Sequence, residues 1–332
     1  MSLLSQGLAK GADAPAGYDI IGDVHGCADS LVRLLELLGY RKRNGVYCHK
    51  DRQVVFVGDI VDRGPGIREA LHIVRDMVEA GSAQMVMGNH EYNAIIYTTK
   101  ARPALGREYL RDHDRRGGRL IAETLDQFAN HPADWRDFLG WFQTLPLFLE
   151  FEQFRVVHAC WDQPLIDRFR AEHDSQINLD FIHNSVEPGS FAGQLVNRLT
   201  RGTDMPLPGD HVITSRDGFK RRFFRTRFWG REPKTYGDIV FQPDPLPEAV
   251  HEQAISAQDR QRLSHYSLDQ RPLFIGHYWL QGQPQPVASN LACLDYSAVN
   301  WGKMVAYRMD GEQQLSADKF VWVDLDPEHA GL

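Results

Sequence analysis

The chain has 332 residues, of which 42% are hydrophobic and 24% charged, ordinary for a globular protein and enough for one large domain or a core with a substantial insertion. A net charge of −7 excludes a global field that gathers nucleic acid or an anionic membrane, so any anion site must be local. Four scattered cysteines (Cys27, Cys48, Cys160, Cys293) with no C-x-x-C pair argue against a structural zinc site and a disulfide framework, and no apolar run approaches the roughly 18 residues that span a bilayer.

Residues 1–17 are rich in Gly and Ala and lack the apolar core of a secretion signal; a flexible tail and a cytoplasmic protein are expected. Tyr18-Asp19-Ile20-Ile21 then reads as a strand ending at Gly22-Asp23. From Asp29 to Tyr40, Leu31, Leu34, Leu35, Leu37 and Leu38 fall at helical spacing, with Asp29 as the expected N-cap. Val54 to Val57 is a buried-strand pattern broken by Gly58-Asp59, and Ile67 to Val78 is amphipathic. Met85 to Met87 is a third strand, broken by Gly88-Asn89-His90.

This alternation predicts parallel βαβ units, in which ligands collect at the carboxyl ends of strands. From about Tyr92 to Pro146 the pattern is helical, with Trp135, Phe138, Leu139 and Phe142 on a buried face. Phe154 to Val157 is a strand ending at His158, and Pro272 to Ile275 one ending at Gly276-His277. Between them one helix (Phe191–Leu199), a turn at Asp217-Gly218 and a proline-rich piece at 242–247 are expected. Short strands follow near Leu291, Met304 and Phe320. Residues 18–325 are expected to form a single domain, with insertions at about 95–150 and 162–270 that shape the substrate pocket.

The polar residues at the strand ends are Asp23 and His25, Asp59, Asn89 and His90, His158, and His277. Carboxylate, imidazole and amide donors without thiolate suit borderline or hard divalent ions such as manganese, iron or zinc, and manganese is the expected cofactor. Two metals can be held if one carboxylate bridges them, and Asp59, on the central of the first three strands, is the natural bridge. Glycines 22, 58 and 88 precede these clusters, where the backbone turns off a strand tip.

Gly22-Asp23-Val24-His25-Gly26, Gly58-Asp59-Ile60-Val61-Asp62-Arg63-Gly64 and Gly88-Asn89-His90-Glu91 resemble the signature blocks of calcineurin-like metallophosphoesterases. Asp62-Arg63-Gly64 narrows the resemblance to the phosphoprotein-phosphatase branch, which includes diadenosine-tetraphosphatase-like enzymes. Val157-His158-Ala159 and Gly276-His277 resemble the later histidine blocks, and Leu294-Asp295-Tyr296 with Gly302-Lys303-Met304 the closing hairpin. The resemblance implies an α/β fold, the family's αββα sandwich, and in-line attack of metal-bound hydroxide on a phosphomonoester. It implies Asp23, His25 and Asp59 on one metal and Asp59, Asn89, His158 and His277 on the other. His90 would be the general acid, oriented by Asp62, and Arg63 would bind phosphate oxygens.

Three departures bear on the substrate. The last block is Gly276-His277-Tyr278-Trp279, without the second histidine that relatives outside the branch carry. Met87 stands where protein phosphatases of the branch typically have arginine, and Pro65 follows Gly64; both lean towards the dinucleotide side. The expected partner is a phosphorylated protein, nucleotide or small molecule, with no membrane and no nucleic acid, and the oligomeric state stays open. The competing readings are a hydrolase of dinucleoside polyphosphates and a non-catalytic protein that binds a phosphate ligand.

The remaining histidines (His113, His131, His183, His265) read as surface or structural, Cys160 as a buried filler, and Glu91 as a helix cap without a catalytic role. The segment Lys220 to Arg231 interleaves basic and aromatic residues. Such a pattern can bind single-stranded nucleic acid or a nucleotide base, but it reads first as an edge strand with a solvated basic face, with a strand sending Arg225 or Arg227 to the site as a second phosphate clamp in between.

Overall fold

In the computed structural model, which describes residues 15–214, 220–229, 232–241, 245–298 and 302–325, the first apolar run forms strand β1 (Gly17–Ile21). Helix α1 (Ala28–Leu38) and a hairpin of β2 (Arg41–Arg43) and β3 (Val46–Cys48) lead to β4 (Arg52–Phe56). Helix α2 (Ile67–Glu79) then leads to β5 (Ala83–Met85). β1, β4 and β5 are parallel neighbours, with Ile20 beside Val55 and Ile21 beside Phe56.

Successive side chains of a strand point to opposite faces. Ile20, Val55 and Val57 therefore enter one apolar layer, while Ile21, Val54 and Phe56 pack with Leu31, Leu34 and Leu35 of α1 and Leu71 and Val74 of α2. Burial on both faces explains the unbroken apolar runs. Helix α1 starts two residues earlier than an Asp29 cap would place it: Cys27 is its N-cap, and Asp29 sits in the first turn, where a carboxylate suits the helix dipole. Leu37 is 58% exposed, off the buried stripe.

The stretch expected to be helical contains α3 (Asn89–Thr98), α4 (Arg115–Phe128) and α5 (Pro132–Phe142), but residues 99–114 between α3 and α4 are a loop with a single 3-10 turn. Trp135, Phe138 and Phe142 are buried as their spacing predicts; Leu139 is half-buried. β6 (Phe148–Glu150) and β7 (Arg155–Val157) form an antiparallel pair.

Next come α6 (Gln163–His173), α7 (Leu179–Ser185) and α8 (Phe191–Arg201). The small strands β8 (Thr203–Pro206), β9 (Ile213–Thr214), β10 (Lys220–Arg221) and β11 (Phe223–Thr226) follow. Short helices α9 (Tyr236–Ile239), α10 (Glu248–His251) and α11 (Ala257–Arg262) end this part. The single helix expected here is α8; α6 escaped because only Ile166 and Phe169 are buried along it, too sparse a stripe to read. A separate apolar cluster, with Met205, Phe224, Tyr236 and Val250, holds these pieces together.

The chain finishes with β12 (Leu273–Ile275), β13 (Leu291–Cys293), β14 (Asp295–Tyr296), β15 (Lys303–Met309) and β16 (Phe320–Asp324). One sheet has the order β14-β15-β1-β4-β5 with β16 also paired to β15, the other β13-β12-β7-β6. They pack face to face, Ile20, Val55 and Val305 meeting Val156, Phe274 and Ala292. Helix α8 covers the far side of the second sheet, where Val157, Ile275 and Cys293 share a cluster with Leu195 and Leu199. The result is the expected αββα sandwich.

The turn at Asp217-Gly218, residues 242–244 of the proline-rich piece, Arg231, and residues 1–14 of the expected tail lie outside the described residues. Among the described residues, no helix is long and apolar enough to cross a membrane.

Candidate metal centre

The tips of β1, β4, β5, β7 and β12 converge, and the backbone there is unusual. Gly58 has φ +99°, and a Cβ on it would lie 2.5 Å from the Gly88 amide nitrogen, so two strand-tip loops touch through their backbones. Gly22 and Gly88 do not need positive φ; they need space, since a Cβ on Gly88 would meet Asp59 Oδ1 at 2.1 Å. His25, Asp59, Asp62, Arg63, His277 and Trp279 all have positive φ (45°, 55°, 68°, 72°, 68° and 40°). Left-handed backbone at non-glycine residues is costly and collects at functional sites.

The donors meet around Asp59. Its Oδ2 lies 3.8 Å from His25 Nε2, 3.8 Å from His90 Nε2 and 3.3 Å from His158 Nε2. Two groups with donor atoms spaced for a metal ion result: His25, Asp59 and His90, and Asp59, His158 and His277. Asn89 Oδ1 lies 3.1 Å from His158 Nε2. Asp23 Oδ2 is 4.0 Å from His25 Nε2 and accepts the His277 amide at 3.2 Å. All six expected ligands are thus brought together, with Asp23 adjoining the first group through His25, while His90, expected as the general acid, is itself a member of that group.

The tautomers are set from behind. His25 Nδ1 lies 2.9 Å from the Val61 carbonyl and His158 Nδ1 2.8 Å from the Val57 carbonyl, so each Nδ1 carries the proton and Nε2 faces the centre. His25 Nε2 and His277 Nε2 are buried without a hydrogen-bond partner. An unmet buried polar atom costs about 1–3 kcal/mol, and a divalent cation at each group would satisfy it. The residues therefore fit a pair of divalent metal ions.

The electrostatics agree. Burial, with the Arg63 and His90 charges, holds His25 well below the usual histidine range; burial and the Arg225 charge do the same for His277. Both stay neutral, as ligands must. Burial would lower His158, but the Asp59 and Asp23 carboxylates push it up to about 10, so with no cation among these groups Nε2 holds a second proton that a metal ion would displace. Burial would raise Asp59, yet His158 and His90 hold it well below the carboxylate range.

On the pocket side, His90 Nδ1 lies 2.6 Å from Asp62 Oδ2, and His90 Nε2 lies 3.2 Å from Arg63 Nη2. Thr124 escaped sequence reading, and Glu91 does more than the cap expected of it. The Thr124 hydroxyl donates to Asp62 Oδ1 and accepts the Asp62 amide at 3.1 Å. Glu91 caps α3 through the Gly88 amide (3.0 Å), as expected, but its carboxylate also accepts the amides of Asp59 (2.9 Å) and Ile60 (2.7 Å). No local signal marks either, because their partners lie some thirty to sixty residues away in sequence. Cys160 is fully buried and burial pushes its thiol up to about 12, in keeping with an inert filler.

The centre opens into a cavity of about 780 Å³ whose wall includes Arg63, Arg111, Arg201, Arg225 and Trp279. Trp279, in the block lacking the second histidine, is flanked by Arg63 and Arg225, with guanidinium carbons 5.4 and 5.3 Å from its ring. Of the two arginines proposed from strand alternation, only Arg225 reaches the wall. β11 ends at Thr226, the alternation ends with it, and Arg227 Nε donates to the Asp238 carbonyl at 2.6 Å.

The family model of the calcineurin-like phosphoesterases matches residues 18–189, just over half of the chain. An asymmetrical bis(5′-nucleosyl)-tetraphosphatase PrpE of Halalkalibacterium halodurans is 50% identical over 74 residues, 22% of this chain and 30% of the relative. Its namesake in Bacillus subtilis (strain 168) is 46% identical over 74 residues, with the same shares. The match thus spans under a third of the length of these curated relatives. Among solved structures, a protein serine/threonine phosphatase from Saccharomyces cerevisiae is 12% identical with a TM-score of 0.49, over 96% of this chain and 81% of that one. A cold-active protein-tyrosine phosphatase of a psychrophilic Shewanella is 15% identical with a TM-score of 0.46, over 93% and 80%.

Proposed function

This chain belongs to the calcineurin-like phosphoesterase family, and from that premise we propose that it is a phosphatase that hydrolyses phosphate esters with two divalent metal ions sharing Asp59. The observation that carries this reading is the Asp59 carboxylate, set between the His25 and His158 imidazoles with buried, partnerless nitrogens on His25 and His277. Asp23, His25 and Asp59 would hold one ion, and Asp59, Asn89, His158 and His277 the other. Manganese is the proposed metal, and the imidazole, carboxylate and amide donors are equally compatible with iron or zinc. Bound there, two cations supply Lewis-acid polarisation of the phosphoryl group and a means of activating water at neutral pH.

The chain's own side chains do the rest. Asp62 accepts a hydrogen bond from His90 Nδ1–H and leaves Nε2 facing the cavity beside Arg63 Nη2; with Arg63 drawn to the phosphate, Nε2 would carry the proton delivered to the leaving oxygen. Arg63 presents its guanidinium fork to the non-bridging oxygens, braced against the Trp279 ring. Arg225, whose guanidinium also lies over that ring, serves as a second clamp. Four free cysteines support a reducing, cytoplasmic compartment.

A second reading, hydrolysis of dinucleoside polyphosphates, is favoured by the arginines of the cavity wall and by the names of the bacterial relatives. The test is turnover of the manganese-loaded protein on p-nitrophenyl phosphate, phosphotyrosine and phosphoserine peptides, diadenosine tetraphosphate and bis-p-nitrophenyl phosphate. Monoester turnover with little on the diester supports the phosphatase reading, and diadenosine tetraphosphate as the best substrate supports the second. Binding without turnover on any of them refutes both.

A further inference from the structure

Beyond the arginines at the metals, the cavity wall carries a second pair. Asn93 Oδ1 accepts from Arg111 Nη1 and from Arg201 Nη2, each at 2.6 Å. One neutral amide oxygen thus gathers two guanidinium groups. Asn93 lies four residues after Asn89 on α3, on the same side of the helix and about 6 Å further along its axis. The pair therefore flanks the metal centre inside the same cavity.

Both groups are held in place. Arg201 also donates to Asn197 Oδ1 at 2.5 Å and lies over the Tyr92 ring at 5.3 Å. Burial lowers its pKa, and the Arg111 and Arg225 charges add to that, so positive charge is concentrated here. Arg111 belongs to the loop 99–114, which is pinned to α3. His113 lies between the rings of Tyr97 (3.9 Å) and Tyr109 (4.2 Å), and its Nε2 lies 2.7 Å from the Tyr97 carbonyl. The Leu110 amide donates to the Thr99 carbonyl at 2.9 Å. The acids of the same wall are engaged elsewhere: Asp112 pairs with Arg107 at 3.4 Å, and Asp114 caps α4 by accepting the Gly117 amide.

We infer that Arg111 and Arg201, gathered on Asn93, form a second anion subsite for a phosphate of the substrate other than the one being cleaved. The preferred substrates then carry a polyphosphate chain. Like charges held side by side in a partly buried wall favour an anion between them, and guanidinium forks suit phosphate oxygens. Holding the pair beforehand reduces the ordering cost of binding. This inference rests on the phosphoesterase reading for its placement of the reacting phosphate, but its binding arm does not depend on turnover.

The experiment compares the parent with Arg111→Gln and Arg111→Lys, after circular dichroism and melting confirm that each is folded. Calorimetry measures binding of inorganic tripolyphosphate and of orthophosphate, and kinetics compare kcat/KM for tripolyphosphate and p-nitrophenyl phosphate. Arg111→Gln is expected to weaken tripolyphosphate binding at least tenfold more than orthophosphate binding, and to lower the kcat/KM ratio by a similar factor through KM. Arg111→Lys should restore part of the loss. Equal weakening of both anions, or unchanged tripolyphosphate affinity, overturns the subsite even if the protein is an active phosphatase. A phosphopeptide with acidic flanks that loses as much as tripolyphosphate overturns its assignment to polyphosphate chains. If no substrate is turned over, the phosphoesterase reading fails, and the calorimetric difference alone decides the subsite.

Discussion

Asp62 and His90 form a buried pair, Oδ2 to Nδ1 at 2.6 Å, and Thr124 closes on the other carboxylate oxygen. The pair fixes which nitrogen of His90 faces the cavity, and this is what a proton donor to a leaving oxygen needs. His90→Ala is expected to lower kcat by roughly 10²–10⁴-fold. The loss should be smallest for p-nitrophenyl phosphate, whose leaving group needs little protonation, and largest for an alkyl phosphate. Equal losses on the two would remove His90 from that role. Thr124→Val should reduce kcat by a smaller factor with little change in KM, because it loosens only the orientation of Asp62.

Glu91 is wholly buried and holds the Asp59–Ile60 turn by its backbone amides. Glu91→Gln points an amide NH₂ where an acceptor is required and leaves at least one buried N–H unmet. Denaturant unfolding should show a loss of about 1–3 kcal/mol. Manganese affinity, measured by titration at fixed pH, should fall as well, because the turn carries Asp59. A stability loss with unchanged metal affinity would separate the turn from the metal centre.

Gly58 cannot accept a side chain without moving Gly88. Gly58→Ala combines a positive φ with a backbone clash, so a destabilisation of at least ~1–3 kcal/mol is expected. Loss of both metal equivalents should accompany it. Melting temperature and metal content of the purified variant check the two effects separately.

Burial would raise the Glu150 carboxyl, but hydrogen bonds and charges from Arg170 and Arg155 outweigh it and hold it below the ordinary carboxylate value. A carboxyl lowered on folding contributes stability that is complete above its unfolded pKa and is lost as pH falls through the folded one. Glu150→Gln should therefore destabilise the protein at neutral pH, and the gap between parent and variant should close below about pH 4. Unfolding free energies of both proteins from pH 3 to 8 test this; a gap independent of pH would assign the effect to packing alone.

The strand tips were legible because β1 and β4 are buried on both faces, leaving uninterrupted apolar runs that end abruptly in Asp23 and Asp59. The candidate ligands followed, since each sits one or a few residues beyond such a run. Thr124, Asn93 and Arg201 were not legible. Their roles come from helix faces brought to the site by packing, and nothing beside them in sequence marks the contact. Arg227 shows the opposite failure: a period of two is informative only while the strand lasts, and β11 stops one residue short. The residue type of Asp29 suggests a cap, whereas the helix begins before it, at Ala28, with Cys27 as its N-cap.

The central claim is that Asp59 is shared by two metal ions that drive phosphate ester hydrolysis. The most direct test counts manganese bound per chain in metal-stripped, refilled parent and in Asp59→Asn, with p-nitrophenyl phosphate turnover read on the same samples. Two equivalents in the parent, fewer in the folded variant, and turnover lost with them are the expected result. A parent that binds no more than one ion, or a variant that keeps both ions and its turnover, would contradict the account.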